Sequence, residues 1–159
     1  MLAILPMAHM YGLTCEFLLE FCLGNHIYFL TRLPSPSIIQ EAFSEIHPGI
    51  IVSVPLIVEK IIRKEVFPLV NNYTHLKLLM KMPVVGDKIK ARICKTVMDV
   101  MGGEAYEIVV GGAGLNKEIE SFLTSINFPI TIGYGTTETG PMITFSDYHD
   151  FVPGSCGTV

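Results

Sequence analysis

The stretch Ile130-Thr131-Ile132-Gly133-Tyr134-Gly135-Thr136-Thr137-Glu138-Thr139-Gly140-Pro141 decides the reading of the fold. Its first three residues form a β-branched run, which reads as a strand. The strand ends in Gly133 and Gly135 around one aromatic ring, Tyr134. The hydroxyls of Thr136, Thr137 and Thr139 and the carboxylate of Glu138 follow at once. A ring that can stack on a base, backbone that allows close approach and a carboxylate that can hold a hard cation together suit a nucleotide with Mg²⁺. Such a cluster at the carboxyl end of a strand lies where open α/β sheets bind ligands. The same residues also read as a Thr-rich β-turn between two strands, since Gly and Thr are ordinary there.

Outward from this stretch, short apolar runs alternate with helical patterns. Residues 49–54 read as an apolar run of strand length, as in a buried parallel strand, and residues 106–110 read as the next buried strand. Residues 27–30 and 142–145 are two further strand candidates. Helices are predicted over 11–23, stopped at Gly24-Asn25, over 56–66, opened by Pro55, and over 117–123, behind Asn116 as N-cap. Another helix starts at Ser35-Pro36-Ser37, with Pro36 in the first turn and Ser37 spaced from Gln40 as in a capping box, and ends by His47, ahead of Pro48. The segment 68–102 reads as mostly helical, broken near Pro83, and as an elaboration outside the sheet. Strands separated by helices imply right-handed crossovers. The expected class is α/β, with a mainly parallel sheet and helices on both faces.

The 159 residues suffice for one domain. Half of them are hydrophobic and 16% are charged, against about 25% charged in ordinary globular chains. That shortage fits a sheet buried on both faces, or a piece of a larger protein with apolar cut faces. The net charge of −4 and the lack of a basic run give no reason to expect a nucleic-acid partner. No uninterrupted apolar stretch reaches the roughly 18 residues of a membrane span, so no transmembrane segment is expected. The start, Met1-Leu2-Ala3-Ile4-Leu5-Pro6, has neither the basic residues nor the cleavage pattern of a signal peptide. Cys15, Cys22, Cys94 and Cys156 show no C-x-x-C spacing and read as reduced thiols of a cytosolic protein.

Gly111-Gly112-Ala113-Gly114 follows a buried strand and precedes a helix. Small residues there let a ligand lie against the backbone, and they equally suit a tight strand-to-helix turn with no ligand. G-x-G-x-x-G is incomplete, and a Walker loop is absent, because Lys117 is followed by Glu118. Glu138 reads as a Mg²⁺ ligand with Thr136 and Thr137 near phosphate oxygens, or as a solvated acid in a turn. His9, within Leu5-Pro6-Met7-Ala8-His9-Met10-Tyr11-Gly12, reads as a residue lining a ligand tunnel or serving in acid–base work, or as a packed histidine with satisfied nitrogens. His26, His47, His75 and His149 have no metal-ligand spacing, and Ser155 is not in a G-x-S-x-G elbow.

Taken in order, several segments resemble one family: 5–12, then Val54-Pro55 with Glu59-Lys60-Ile61, then Gly111-Gly112-Ala113, then the stretch from Gly133 to Thr139, then Pro153-Gly154-Ser155-Cys156-Gly157. The chain resembles the middle of the large N-terminal domain of adenylate-forming enzymes, the acyl-CoA synthetase and luciferase superfamily. The helical excursion ending in Met101-Gly102-Gly103 is most similar to the long-chain fatty-acid members. The resemblance implies ATP, Mg²⁺ and coenzyme A, and a carboxylic acid that becomes an acyl-adenylate and then a thioester. It also implies residue roles. Tyr134 would pack against adenine, with Gly112 and Ala113 on the other side and Gly135 and Thr136 beside the nucleotide. Thr137 would contact the α-phosphate and Glu138 would hold Mg²⁺. Gly133 would stand at the mouth of the acyl pocket, and His9 where the acyl and coenzyme A channels meet. The family commonly has Ser and Pro around Gly-Gly-Ala, where this chain has Val110 and Gly114, and Val where this chain has Cys156.

The family's phosphate loop would precede the first residue, and its ribose-binding aspartate and lysine-bearing C-terminal domain would follow the last. Residues 1–159 are therefore expected to be one partial AMP-binding domain, truncated at both ends, inactive alone and prone to self-association through exposed faces. The expected location is cytoplasmic, with a membrane-peripheral one for the intact enzyme as the variant. The other readings are an aryl-CoA ligase, an adenylation module loading a carrier protein, and a non-catalytic α/β binding module.

Overall fold

The computed structural model describes residues 1–71 and 85–159. The chain opens with a short strand β1 (Leu2–Ala3) and a helix α1, π-helical over Gly12–Leu18 and α-helical over Leu19–Cys22. Strand β2 (Tyr28–Phe29) returns to pair parallel with β1, Leu2 opposite Tyr28. Helix α2 (Pro36–Ile46) is capped by Ser35, whose hydroxyl accepts the Ile38 N–H. The expected capping box at Ser37 and Gln40 is not formed. Pro36 takes the first helical position, so the residue ahead of it caps and Ser37 falls inside the first turn. The helix ends at His47, which is left-handed at φ 50°, directly before Pro48.

Strand β3 (Ile50–Ser53) leads into α3, which is α-helical over Pro55–Ile61, π-helical over Ile62–Val66 and α-helical again over Phe67–Asn71. The helix therefore runs past its expected end at Val66 and through Pro68. The π-helical turn lies immediately ahead of that proline. The break expected near Pro83 lies outside the described residues. Helix α4 (Val85–Val100) precedes β4 (Glu107–Val110), and α5 (Lys117–Ser125) connects β4 to β5 (Ile130–Ile132). Asn116 caps α5 as expected, its Oδ1 accepting the Glu118 N–H at 3.0 Å. Glu59 of α3 accepts the Asn116 N–H at 2.9 Å, which ties the cap to the neighbouring helix.

β4 is central, with β3 and β5 parallel on either side. Every residue of β4 and β5 is buried. Successive side chains point to opposite faces, so both faces of this sheet are covered, as expected for buried parallel strands. Its core includes Val52, Ile108, Val110, Ile130 and Ile132, with Phe43, Ile61, Ile119 and Leu123 from the helices. The fold is α/β with parallel sheets, as expected.

Residues 142–145 do not form the expected strand. They make two single antiparallel bridges, Tyr134 with Thr144 and Phe145 with Thr158. The pairing stops there because the segment folds back on the turn after β5. No helix among the described residues is long and apolar enough to cross a membrane. The four cysteines are free.

Candidate active site at the carboxyl ends of the central strands

The ends of β4 and β5 open into a cleft of about 160 Å³. Gly111 and Gly112 line it from β4, and Gly133, Tyr134, Gly135, Thr136 and Thr137 from β5. His9 and Tyr11 line it from the loop ahead of α1, and Pro141 and Met142 complete the lining. A larger groove, about 480 Å³, runs along α4 past Lys90, Lys95 and Asn127 and holds none of the expected site residues.

The backbone around Tyr134 is fixed from both directions. The Gly133 N–H donates to the Val110 carbonyl at 2.9 Å, extending the sheet ladder by one bond. The Tyr134 N–H donates to Thr144 O at 3.1 Å, and the Ile143 and Thr144 N–H groups donate back to Tyr134 O at 2.9 and 3.0 Å. The Thr131 hydroxyl, fully buried, donates to Ser146 O at 2.7 Å and holds the return segment against β5. Tyr134 is 54% exposed, which leaves its aromatic side chain accessible to a flat partner.

Residues Thr137–Thr139 form a single 3₁₀ turn capped reciprocally by Thr136 and Thr139. The Thr136 N–H donates to Thr139 Oγ1 at 3.1 Å, and the Thr139 hydroxyl donates to Thr136 O at 2.9 Å. This box sets the orientation of the two side chains between them. Glu138 is fully exposed, and its own backbone N–H and the Thr136 side chain hold its carboxyl below the usual carboxylate range. It is therefore ionised over the working pH range of most enzymes. Among the described residues, no group of three or more His, Cys, Asp or Glu could hold a metal ion. A lone exposed carboxylate beside threonine hydroxyls suits Mg²⁺, which keeps most of its waters and takes one or two carboxylates with substrate phosphates.

His9 is tied to its own loop. Its N–H donates to Pro6 O at 3.0 Å, and its Nδ1 accepts the Tyr11 N–H at 3.1 Å. An accepting Nδ1 leaves the proton of the neutral ring on Nε2, which makes His9 a donor through its outer nitrogen.

The structure thus brings His9, Gly112, Gly133, Tyr134, Gly135, Thr136 and Thr137 together at one cleft. Ala113 and Glu138 are exposed and stand outside its lining. Gly111, of the expected glycine-rich turn, lines the cleft too, and Tyr11, Val109, Pro141 and Met142 line it without having been expected as site residues. Tyr11 is buried, and its hydroxyl lies 3.3 Å from Ser53 O and 3.4 Å from Val109 O. Burial, aided by Cys15 and Glu16, pushes that phenol far up, so it remains a donor. Its ring fills the space beside Gly111, where an added Cβ would meet it at 3.0 Å. The one signal in the sequence was an aromatic residue placed two after His9.

A family model described as AMP-binding enzyme matches residues 1–159. The chain is similar to long-chain-fatty-acid–CoA ligase 1 of Saccharomyces cerevisiae, 29% identical over 96% of this chain and 24% of that protein. It is also similar to long-chain-fatty-acid–CoA ligase 4 of the same yeast, 26% identical over 86% of this chain and 21% of that protein. It therefore spans about a quarter of the length of these relatives. Among solved structures, a benzoate CoA ligase from Burkholderia xenovorans superposes with a TM-score of 0.67 at 16% identity, over 99% of this chain and 26% of that one. The N-terminal domain of FACL13 from Mycobacterium tuberculosis superposes with a TM-score of 0.62 at 18% identity, over 98% of this chain and 32% of that one. With a match along its whole length and the shared fold, this chain belongs to the AMP-binding enzyme family.

Proposed function

We propose that these 159 residues carry the adenine- and α-phosphate-facing part of the active site of a longer ATP-dependent fatty acyl-CoA ligase. In the first half-reaction a carboxylate oxygen attacks the α-phosphorus of ATP and pyrophosphate leaves, giving the acyl-adenylate. In the second, the thiolate of coenzyme A attacks the acyl carbon and AMP leaves. The observation that carries the reading is the convergence of the Tyr134 ring, the Thr136 and Thr137 side chains and His9 on one cleft at the strand ends.

Each residue has a part set by its chemistry. Tyr134 offers its accessible ring to adenine, with the backbone of Gly111 and Gly112 opposite. Ala113 continues that surface at its exposed edge. Thr136 and Thr137 present hydroxyls to the α-phosphate, where negative charge accumulates during attack, and Gly135 lets the backbone pass close. Prealigned donors of this kind stabilise developing charge without reorganising. Glu138 would hold Mg²⁺ beside them, and bound there the ion supplies neutralisation of phosphate charge. Gly133 leaves space for the acyl group. His9 presents Nε2–H where acyl group and thiol meet.

Two S. cerevisiae relatives named for long-chain fatty acids support the fatty-acid reading. The benzoate CoA ligase neighbour favours an aryl acid as the second reading. The test is acid-dependent ATP–pyrophosphate exchange by the full-length polypeptide, across short, long and aromatic acids. Exchange with long-chain acids supports the proposal, exchange with aromatic acids alone supports the second reading, and silence with every acid overturns both.

A further inference from the structure

Helix α1 is built inside out. Glu16 and Glu20 are 0% and 2% exposed, whereas Phe21 and Leu23 are 68% and 64% exposed. The two carboxylates are four residues apart and share one helix face. A buried carboxylate without partners costs several kcal/mol, so its hydrogen bonds reveal what it is holding. Glu20 is bonded locally, accepting from Asn25 Nδ2 at 2.7 Å. Glu16 reaches across to the strand end. Its Oε1 accepts the Ile4 N–H at 3.0 Å and its Oε2 accepts the Leu5 N–H at 2.8 Å.

Those two N–H groups are the last before Pro6, which has none. From that point the chain folds into the His9 turn. Pro6 O accepts the His9 N–H, and His9 Nδ1 accepts the Tyr11 N–H. Gly12 passes so close that an added Cβ would stand 2.7 Å from Pro6 O. The far side of the turn is pinned by the Tyr11 hydroxyl at Ser53 O and Val109 O. The near side is pinned by Glu16.

We propose that Glu16 is a positioning residue for His9, acting by clamping the backbone of Ile4 and Leu5 so that the turn presents Nε2 to the cleft. The inference rests on the reading of the cleft given above. It assigns Glu16 to the thioester-forming half-reaction, through His9, and leaves adenylation largely independent of it.

The experiment uses the full-length polypeptide with Glu16→Gln, Glu16→Asp, His9→Ala, the double variant Glu16→Gln/His9→Ala, and Glu20→Gln as a control. Both half-reactions are followed separately, and backbone amide exchange is followed over residues 1–13. Glu16→Gln is expected to slow thioester formation about tenfold or more, as a misplaced group does, with ATP–pyrophosphate exchange within about twofold of wild type. The double variant is expected to be no slower than His9→Ala, because Glu16 acts through that ring. Amides of Ile4, Leu5 and His9 are expected to exchange faster in Glu16→Gln and to be unchanged in Glu20→Gln. A parallel loss of both half-reactions, additivity with His9→Ala, or unchanged amide exchange overturns the proposal. If Glu16→Gln fails to fold, Glu16→Asp takes its place, and failure of both makes Glu16 a folding residue and overturns the proposal. If the wild type is silent in both half-reactions, the reading of the cleft fails, and amide exchange alone decides whether the clamp exists.

Discussion

The Pro141 carbonyl oxygen occupies the place a side chain at Gly135 would need, 1.5 Å from an ideal Cβ. This contact explains why a glycine follows Tyr134. The return segment crosses directly over the strand end, and that crossing forms one wall of the cleft. Gly135→Ala is expected to destabilise the fold by about 3 kcal/mol or more, the upper range for forced overpacking against backbone. Urea unfolding checks the stability loss. In the full-length polypeptide the same change is expected to abolish ATP binding, read by equilibrium titration.

Tyr11 joins α1 to the ends of β3 and β4. Tyr11→Phe keeps the ring against Gly111 and loses the hydroxyl's bonds to Ser53 O and Val109 O. A net loss of about 1 kcal/mol is expected for a hydrogen bond of this kind. Tyr11→Ala also leaves a cavity and is expected to cost about 3–5 kcal/mol. Denaturant melts of the two variants separate the contributions. Equal losses would mean that the ring does not pack as described.

Burial raises the Glu16 carboxyl to about 7 from an ordinary 4.5, against the lowering effect of the Ile4 and Leu5 N–H bonds. The folded state therefore binds this proton more tightly than the unfolded chain does. Between these two values the native form holds a proton that the unfolded form has released. The contribution of Glu16 to stability thus falls as pH rises through that window, and is level outside it. The difference in unfolding free energy between wild type and Glu16→Gln is expected to shift against the wild type by up to about 3 kcal/mol across it. Chemical denaturation at several pH values measures this difference. A pH-independent difference would contradict the burial of the carboxyl.

Glu138 is exposed and packs against nothing in the core. Glu138→Gln is expected to leave the thermal midpoint unchanged. In the full-length polypeptide it is expected to lower Mg²⁺-dependent ATP–pyrophosphate exchange by about 10²-fold, the scale for removing one group that stabilises transition-state charge. A drop in midpoint with unchanged exchange would make Glu138 a structural residue only.

Much of this architecture is legible in the sequence because β3, β4 and β5 are built mostly of Ile and Val, with Ser53, Glu107 and Thr131 as the polar exceptions. The stop at His47 and the cap at Asn116 depend on neighbours only a few residues away, so they are legible too. The cluster around Tyr134 is legible for the same reason, since its glycines, threonines and carboxylate are consecutive. Other features depend on contacts between distant segments. The hydroxyl of Tyr11 meets carbonyls 42 and 98 residues away, which no local pattern encodes. Glu16 and Glu20 read as interruptions of an apolar helix, although they are its inward face. Ser35 rather than Ser37 caps α2 because Pro36 fixes the first helical position. Residues 142–145 carry a strand-like pattern, yet they bridge at single points because they must pass over Gly135.

The cleft at the ends of β4 and β5 is proposed to bind ATP and activate an acid. ATP–pyrophosphate exchange by the full-length polypeptide tests this proposal most directly, with wild type and Thr137→Ala compared across the same panel of acids. Exchange is expected to depend on a long-chain acid and to fall about 10²-fold or more in Thr137→Ala with the fold intact. No exchange by the folded wild type with any acid, or full exchange by Thr137→Ala, would contradict the proposal.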